Sequence, residues 1–297
     1  MNFYQAHNHT FYSLNNLYKC NSRYIRYFSC NYEYKIHGKA LTIKVVQKSI
    51  LTKMATQEIE LIIKASAIDD KRKGGCLFCQ EYFMELYLMA ELQTIALRIT
   101  LVDMLKPPED FRSKFGTSPP PILIDGHTAA IDNENIEEHI KTKIPGAHNL
   151  YTQPKEVITL IQDVYSKFKV LLLRKDDGAR KSLLAQLLKI NNHLESNGGS
   201  RFLSGDTMCS SDCELMPKLQ HIRIAGAFFV DFYIPLELKG LWRYIVEMYH
   251  LPAFIQSCPY DQDIINHYRQ QKGLPITRQE KLEIPILTKT IPSEANL

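Results

Sequence analysis

The sequence predicts two domains, a small α/β unit followed by an all-helical one. Three observations carry that prediction: a strand–helix–strand pattern that begins at Ile59, a Pro-Gly and polar break near residue 145, and the disappearance of strand periodicity beyond it. The chain has 297 residues, 45% of them hydrophobic and 23% charged, which suits about two domains and excludes a disordered, collagen-like or disulfide-scaffold chain.

The first 54 residues stand apart. They hold eight Lys/Arg and one acidic residue, Glu33, with seven of the 16 Tyr and six Asn, and sustain neither a period of two nor one of 3.6. Residues 1–57 are therefore expected to be an unstructured extension. An acid-poor basic start also describes a mitochondrial presequence, but only Arg23 and Arg26 supply guanidinium groups, and Met54 offers an alternative start. The Asn8-His9-Thr10 sequon would matter only in the secretory path. The remaining 28 Lys/Arg and 31 Asp/Glu leave a body of charge −3, so the bulk electrostatic case for nucleic-acid binding is absent. An odd count of seven cysteines with no secretory apolar segment points to a reducing compartment, hence a cytoplasmic protein.

From residue 58 to 144 the elements follow in order. Ile59 to Ile63 reads as a buried strand, and Asp69 to Gly75 as a polar loop. Leu77, Phe78, Tyr82, Phe83, Met84, Leu86, Tyr87, Leu88 and Met89 then make a helix apolar over most of its circumference, with Glu81 and Glu85 as a narrow polar stripe. Ile95 to Val102 alternates as a second strand. Pro108 to Phe115 forms a short helix, and Ile122 to Ile124 a third strand. Gly126-His127 turns into a fourth strand, and Asp132 to Thr142 closes the unit as a helix. Residues 145–154 read as a linker. Within 155–272, Leu183, Leu187, Ile190 and Leu194 form one helical seam, ended by Asn197-Gly198-Gly199, and Trp242, Tyr244, Ile245 and Met248 form another. Residues 273–297, rich in Pro and polar groups, are expected to be a flexible or docked tail.

The chemistry concentrates in Gly74-Gly75-Cys76-Leu77-Phe78-Cys79, between the first strand and the first helix. A cysteine at a helix N-terminus meets free N–H groups and the positive end of the helix dipole, which favour the thiolate. Lys71, Arg72 and Lys73 push the same way. Cys76 is thus the expected nucleophile, and Cys79 can resolve a mixed disulfide. Zinc would require a second close pair, and the one present, Cys209 and Cys213, is far along the chain. The seven histidines from His127 to His267 show no metal-ligand spacing, so core or surface roles are expected of them, and no metal. Ser118-Pro119-Pro120-Pro121 is a natural place for a cis peptide or simply a rigid loop. Asp132 can cap the following helix or face an ammonium group.

These residues resemble the chloride intracellular channel family, a branch of the glutathione transferase superfamily, and its invertebrate members in particular. The resemblance runs from about Ile59 to Gln271. It rests on Ile62-Ile63-Lys64-Ala65-Ser66, on Cys76-Leu77-Phe78-Cys79-Gln80-Glu81-Tyr82, and on the Pro-Pro-Ile-Leu-Ile run. In the second half it rests on Asp212-Cys213-Glu214-Leu215-Met216-Pro217-Lys218-Leu219, on His221-Ile222-Arg223, and on Ser257-Cys258-Pro259-Tyr260-Asp261-Gln262-Asp263. It implies a glutathione transferase fold with a thioredoxin-like N-domain, a helical C-domain and a glutathione site between them. By position, Cys76 matches the redox-active cysteine and Pro121, beside Pro120, the cis-proline; Asp132 and Asn133 match the residues holding the γ-glutamyl end, and Lys64 a pocket lysine. Two departures matter. Vertebrate members usually read C-P-F-S, whereas Leu77 and Cys79 here restore a dithiol. The helix-capping Ser/Thr-x-x-Asp box reads Cys209-Ser210-Ser211-Asp212, so either Ser210 shifts the helix start or the helix is weakly fixed.

The family implies a chloride or anion conductor that associates with membranes conditionally. The segment Cys76 to Val102 is long enough to span, but Glu81, Glu85, Glu91 and Arg98 interrupt it, and one such charge near mid-bilayer costs about 2.5–3.5 kcal/mol. Acid pH is expected to help by neutralising the glutamates. The expected partners are membrane lipid, chloride ion and glutathione, with cytoskeletal proteins in a scaffold reading and no nucleic acid. The alternative activity is glutathione-dependent thiol–disulfide exchange at Cys76.

Overall fold

The computed structural model describes residues 31–37, 40–46, 57–196, 198, 200–273 and 283–295. Its N-terminal half is one six-stranded sheet. The strands are β1 (Asn31–His37), β2 (Ala40–Val46), β3 (Gln57–Lys64), β4 (Ile95–Val102), β5 (Ile122–Asp125) and β6 (Thr128–Ala130), in the order β1-β2-β4-β3-β5-β6. Only β3 and β4 run parallel, joined through α1 (Leu77–Glu91); β5 and β6 return antiparallel, and α2 (Glu109–Phe115) and α3 (Asn133–Lys143) complete the unit. This is the strand and helix order expected for residues 58–144.

The extension is not wholly unstructured. Strands β1 and β2 pair in antiparallel register with His37 opposite Ala40, and β2 adds to the sheet edge with Ile43 opposite Ile99. The alternation Tyr32, Tyr34, Ile36 and Leu41, Ile43, Val45 carries strand preference that the many Asn and Lys residues mask in a composition reading. The presequence reading, the sequon and Met54 lie outside the described residues.

Helices then follow one another: α4 (Lys155–Ile161), α5 (Val164–Arg174), α6 (Asp177–Ser196), α7 (Ser210–Val230), α8 (Lys239–His250), α9 (Pro252–Ser257) and α10 (Asp261–Gln271). The stretch read as a linker contains a short 3-10 helix, Ala147–Tyr151, with Ala147 and Leu150 buried. Its apolar residues anchor it, so it joins the domains tightly. Helix α1 packs on the sheet on one side and on α7 and α9 on the other, which is why it is apolar nearly all round. The stripe of Glu81 and Glu85 consequently faces the second domain, and Glu85 is only 1% exposed.

The tail docks over residues 283–295. Ile286 O accepts from the Asp261 amide at 2.8 Å, Thr288 Oγ1 donates to Asp261 Oδ2 at 2.5 Å, and Gln220 Nε2 donates to Thr288 O at 2.9 Å. Arg223 donates to Thr290 O and stacks on Trp242 and Tyr249, so the strap is tied across α10, α7 and α8.

Candidate functional site

The site starts where β3 ends. Lys64 O accepts from the Gly74 amide at 2.8 Å, folding the loop 66–73 back onto its own strand. A Cβ on Gly74 would lie 2.6 Å from Ala65 O, and one on Gly75 would lie 2.6 Å from Asp263 O and 3.0 Å from His267 Cβ. The two glycines are needed because the chain passes between the strand end and α10 with no room for a side chain. This delivers Cys76 to the N-cap of α1 in extended backbone conformation.

The Cys76 thiol is drawn down to about 6 by a hydrogen bond from the Cys79 thiol, which outweighs burial, with help from the Cys79 amide, the charge of Lys64 and the Phe78 amide. Burial, and the bond it donates to Cys76, push Cys79 well up. The pair is therefore asymmetric, a thiolate at the helix start and a proton-bearing thiol inside, and both cysteines are free. The expected assistance from the loop cations is corrected. Arg72 pairs with Asp69 at 2.9 Å and reaches Asp263 at 3.6 Å, Lys73 donates to Gln256 O at 2.8 Å, and Lys71 is exposed. The turn at Gly74 directs Arg72 and Lys73 toward α9 and α10, leaving Lys64 as the cation that acts on Cys76.

The other expected residues fall around it. The Pro120-Pro121 peptide is cis, and both residues are buried. Ile122, next in sequence, pairs with Ile62, which sets the proline loop beside the end of β3. Asp132 caps α3, accepting from the Asn135 amide at 2.9 Å, which together with the Asn135 side chain lowers its carboxyl below the usual range. Asn133 O accepts from Tyr82 Oη at 3.1 Å, tying the start of α3 to α1. An exposed carboxylate at a helix N-terminus can meet an ammonium group, and a thiolate can attack a sulfur.

What the sequence reading missed comes from the second domain. Ser66 Oγ donates to Asp263 Oδ1, and burial pushes that carboxyl up to about 6. His267, one turn further along α10, is pressed down to about 4 by burial and by Lys64. Its Nε2 lies 2.9 Å from Gln271 Nε2, and its ring meets that of His221 at 5.7 Å. His221 on α7 is fully buried, with Nδ1 2.9 Å from Tyr268 Oη, and burial lowers it well below the usual range. His267 thus stands at the junction of the domains, with His221 behind it in the core role expected of it. Their spacing in sequence carries no signal for this; only the close pass of Gly75 against α10 creates it.

A second polar cluster lies further along α1. Glu85 accepts from Tyr151 Oη at 2.6 Å and is pushed up to about 8, mainly by burial. Burial, then the charges of Glu85 and Glu214, push Glu81 well up, while Lys218, paired with Glu214, opposes. At the start of α7, Ser210 does not take over the cap: its Oγ accepts from Gln153 Nε2 at 2.9 Å. Cys209 remains the N-cap, and Asp212 holds the turn by accepting from the Cys209 amide at 2.9 Å and the Leu203 amide at 3.1 Å.

Residues 57–146 match the CLIC-like N-terminal domain. The chain is 58% identical over 241 residues, 81% of its length and 92% of the relative's, to the chloride intracellular channel Clic of Drosophila melanogaster. The crystal structure of the CLIC homologue EXC-4 from Caenorhabditis elegans superposes with a TM-score of 0.74 at 34% identity, covering 82% of this chain and 96% of that one. A Leishmania trimeric glutathione transferase, at 14% identity and a TM-score of 0.56 over 73% of this chain and 48% of its own, shares the fold alone. With the thioredoxin-like sheet, the helical second domain and the Cys76 motif at their junction, these likenesses establish that the chain belongs to the chloride intracellular channel family and has the glutathione transferase fold.

Proposed function

We propose that this protein exchanges between the folded two-domain form and a membrane-bound form that conducts chloride, and that acid drives the exchange. Among the described residues no helix is long and apolar enough to cross a membrane, so conduction requires rearrangement. The observation that carries the reading is His267, whose Cβ lies where Gly75, next in sequence to the reactive cysteine, has no room for a side chain, and whose imidazole burial keeps neutral.

Acid acts with two opposite signs. A buried histidine with a depressed folded value resists protonation, so folding stability is lost as pH falls from about 6.5 toward 4. The groups facing His267 are Lys64 from β3, His221 from α7, and Tyr268 and Gln271 on its own helix, while the carboxylate one turn earlier, Asp263, is engaged by Ser66 and Arg72. Charging either histidine therefore favours separation of α10 from the Cys76 loop. The glutamates work the other way. Glu85 at about 8 and Glu91 at about 7, both raised by burial, stabilise the fold as they protonate. They also mean that near pH 7 Glu85 is largely neutral and Glu91 about half so, leaving Arg98, paired with Glu60 at 2.7 Å, and the Cys76 thiolate as the principal charges of the segment Cys76 to Val102. The test is chloride release from liposomes at neutral and acid pH, with Cys76→Ser and His267→Gln beside the wild-type chain. Release that rises on acidification and is weakened in His267→Gln is expected; release indifferent to pH refutes the acid-driven exchange.

The alternative activity, thiol–disulfide exchange, is favoured by the lowered Cys76 thiol and its proton-bearing neighbour. Cys76 thiolate attacks a disulfide and expels one thiolate, then Cys79, on losing its proton, attacks the mixed disulfide and expels the second, leaving a Cys76–Cys79 disulfide for a reducing thiol to return. Glutathione would supply that reducing thiol, held by Lys64, Pro120, Pro121, Asp132 and Asn133. Loss of glutathione-dependent disulfide reduction in Cys76→Ser, with dithiol turnover blocked in Cys79→Ser, is expected; activity unchanged in Cys76→Ser refutes it.

A further inference from the structure

We propose that the face formed by the C-terminal halves of α5 and α10 and the end of α7 docks on an anionic lipid bilayer while the protein is still folded, holding the Cys76 junction at the membrane surface. This rests on the membrane reading above and supplies the contact that precedes rearrangement.

Ring and cation contacts hold the parts of the face together, with Tyr165 hydrogen-bonded to the buried Tyr268 beneath it. The Lys169 ammonium lies over the Tyr165 ring at 4.9 Å, Tyr268 meets Phe229 at 6.4 Å, and Phe229 meets Phe228 at 4.8 Å. Lys272 lies over Phe229 at 4.8 Å and Arg269 over Phe228 at 5.3 Å. Phe228 is 52% exposed, and on α5 Val170 and Leu173 are 41% and 81% exposed. Leu173 stands one turn beyond Lys169, which stands one turn beyond Tyr165, so cations and apolar groups interleave along one helix side.

Large apolar side chains in water with cations laid over their rings match the interfacial zone of a bilayer, where rings enter the headgroup region and ammonium groups meet lipid phosphates and carboxylates. Charge selects the lipid: Lys169, Arg269 and Lys272 border these rings, and at the end of α7 Arg180 donates to the Asp231 and Val230 backbone carbonyls. The face adjoins the thiol site through α10, where His267, next to Tyr268, packs against Gly75.

The experiment is sedimentation of the full chain with phosphatidylserine/phosphatidylcholine vesicles at pH 7.4, against vesicles of phosphatidylcholine alone, for wild type, Lys169→Glu/Lys272→Glu and Leu173→Asp. Salt-sensitive binding to the anionic vesicles, reduced at least tenfold in both variants with circular dichroism unchanged, is expected. Equal binding of wild type and both variants overturns the proposal, as does a wild-type dimer in sedimentation velocity that the variants dissolve, which assigns the face to a second copy. Chloride release at acid pH on the same vesicles separates the two readings: docking without release from any chain refutes conduction and keeps the face, whereas release and docking that ignore the variants keep conduction and refute the face.

Discussion

Replacing His267 by Gln removes a titrating group from the domain junction while leaving an amide to face Gln271. In the folded chain the imidazole is held to about 4, against about 6.5 when unfolded, so the wild-type fold loses about 2 kcal/mol at pH 5 and about 3 kcal/mol at pH 4 relative to pH 8 through this residue alone. The loss begins below 6.5, where the unfolded chain starts to bind a proton that the folded chain refuses. Asp263 at about 6 and Glu85 at about 8 change stability in the opposite direction, gaining as pH falls, but they are present in both proteins. The difference between wild type and variant therefore isolates His267. Urea unfolding followed by fluorescence of Trp242, the single tryptophan, which is buried, measures it at pH 8, 6, 5 and 4. The variant should gain on wild type progressively below pH 6.5. A difference that stays constant across this range would falsify the assignment of acid sensitivity to this junction.

Four further outcomes follow from the same geometry. Cys79→Ala should move the alkylation midpoint of Cys76 upward from about 6, because the largest influence holding it down is the bond from Cys79; an unmoved pH–rate profile for iodoacetamide would contradict that cause. Gly75→Ala places a methyl 2.6 Å from Asp263 O, and should cost about 1–3 kcal/mol in urea unfolding as the junction shifts. Cys209→Ser restores an oxygen at the cap of α7 and should raise stability by roughly 0.5–1 kcal/mol; an unchanged melting temperature would show that Asp212 alone fixes that turn. Arg223→Ala removes the guanidinium shared by Thr290 O and Tyr249 Oη, and should speed proteolysis within residues 283–295 while leaving Cys76 alkylation unchanged.

The reactive motif is legible because its ingredients are local: two glycines, a helix start and a second thiol within one turn. The cation acting on that thiol is not legible. Three basic residues precede the motif in sequence, yet the turn at Gly74 sends Arg72 and Lys73 away and leaves Lys64, twelve positions upstream, in their place. The hairpin at 31–46 shows a different failure, since a Tyr/Asn/Lys-rich composition hid an alternation that strand pairing could use.

By itself the sequence determined the order of elements, the helix that would be buried all round, and the cysteine that would carry the chemistry, since each depends on periodicity or on contacts within a few residues. Tertiary structure decided what surrounds that cysteine. The contact of Gly75 with Asp263 and His267, the burial of Glu81 and Glu85 against α7, and the strap across Asp261 and Arg223 join residues far apart in the chain. Their protonation follows from the solvent excluded when the domains close, a property that no single segment possesses.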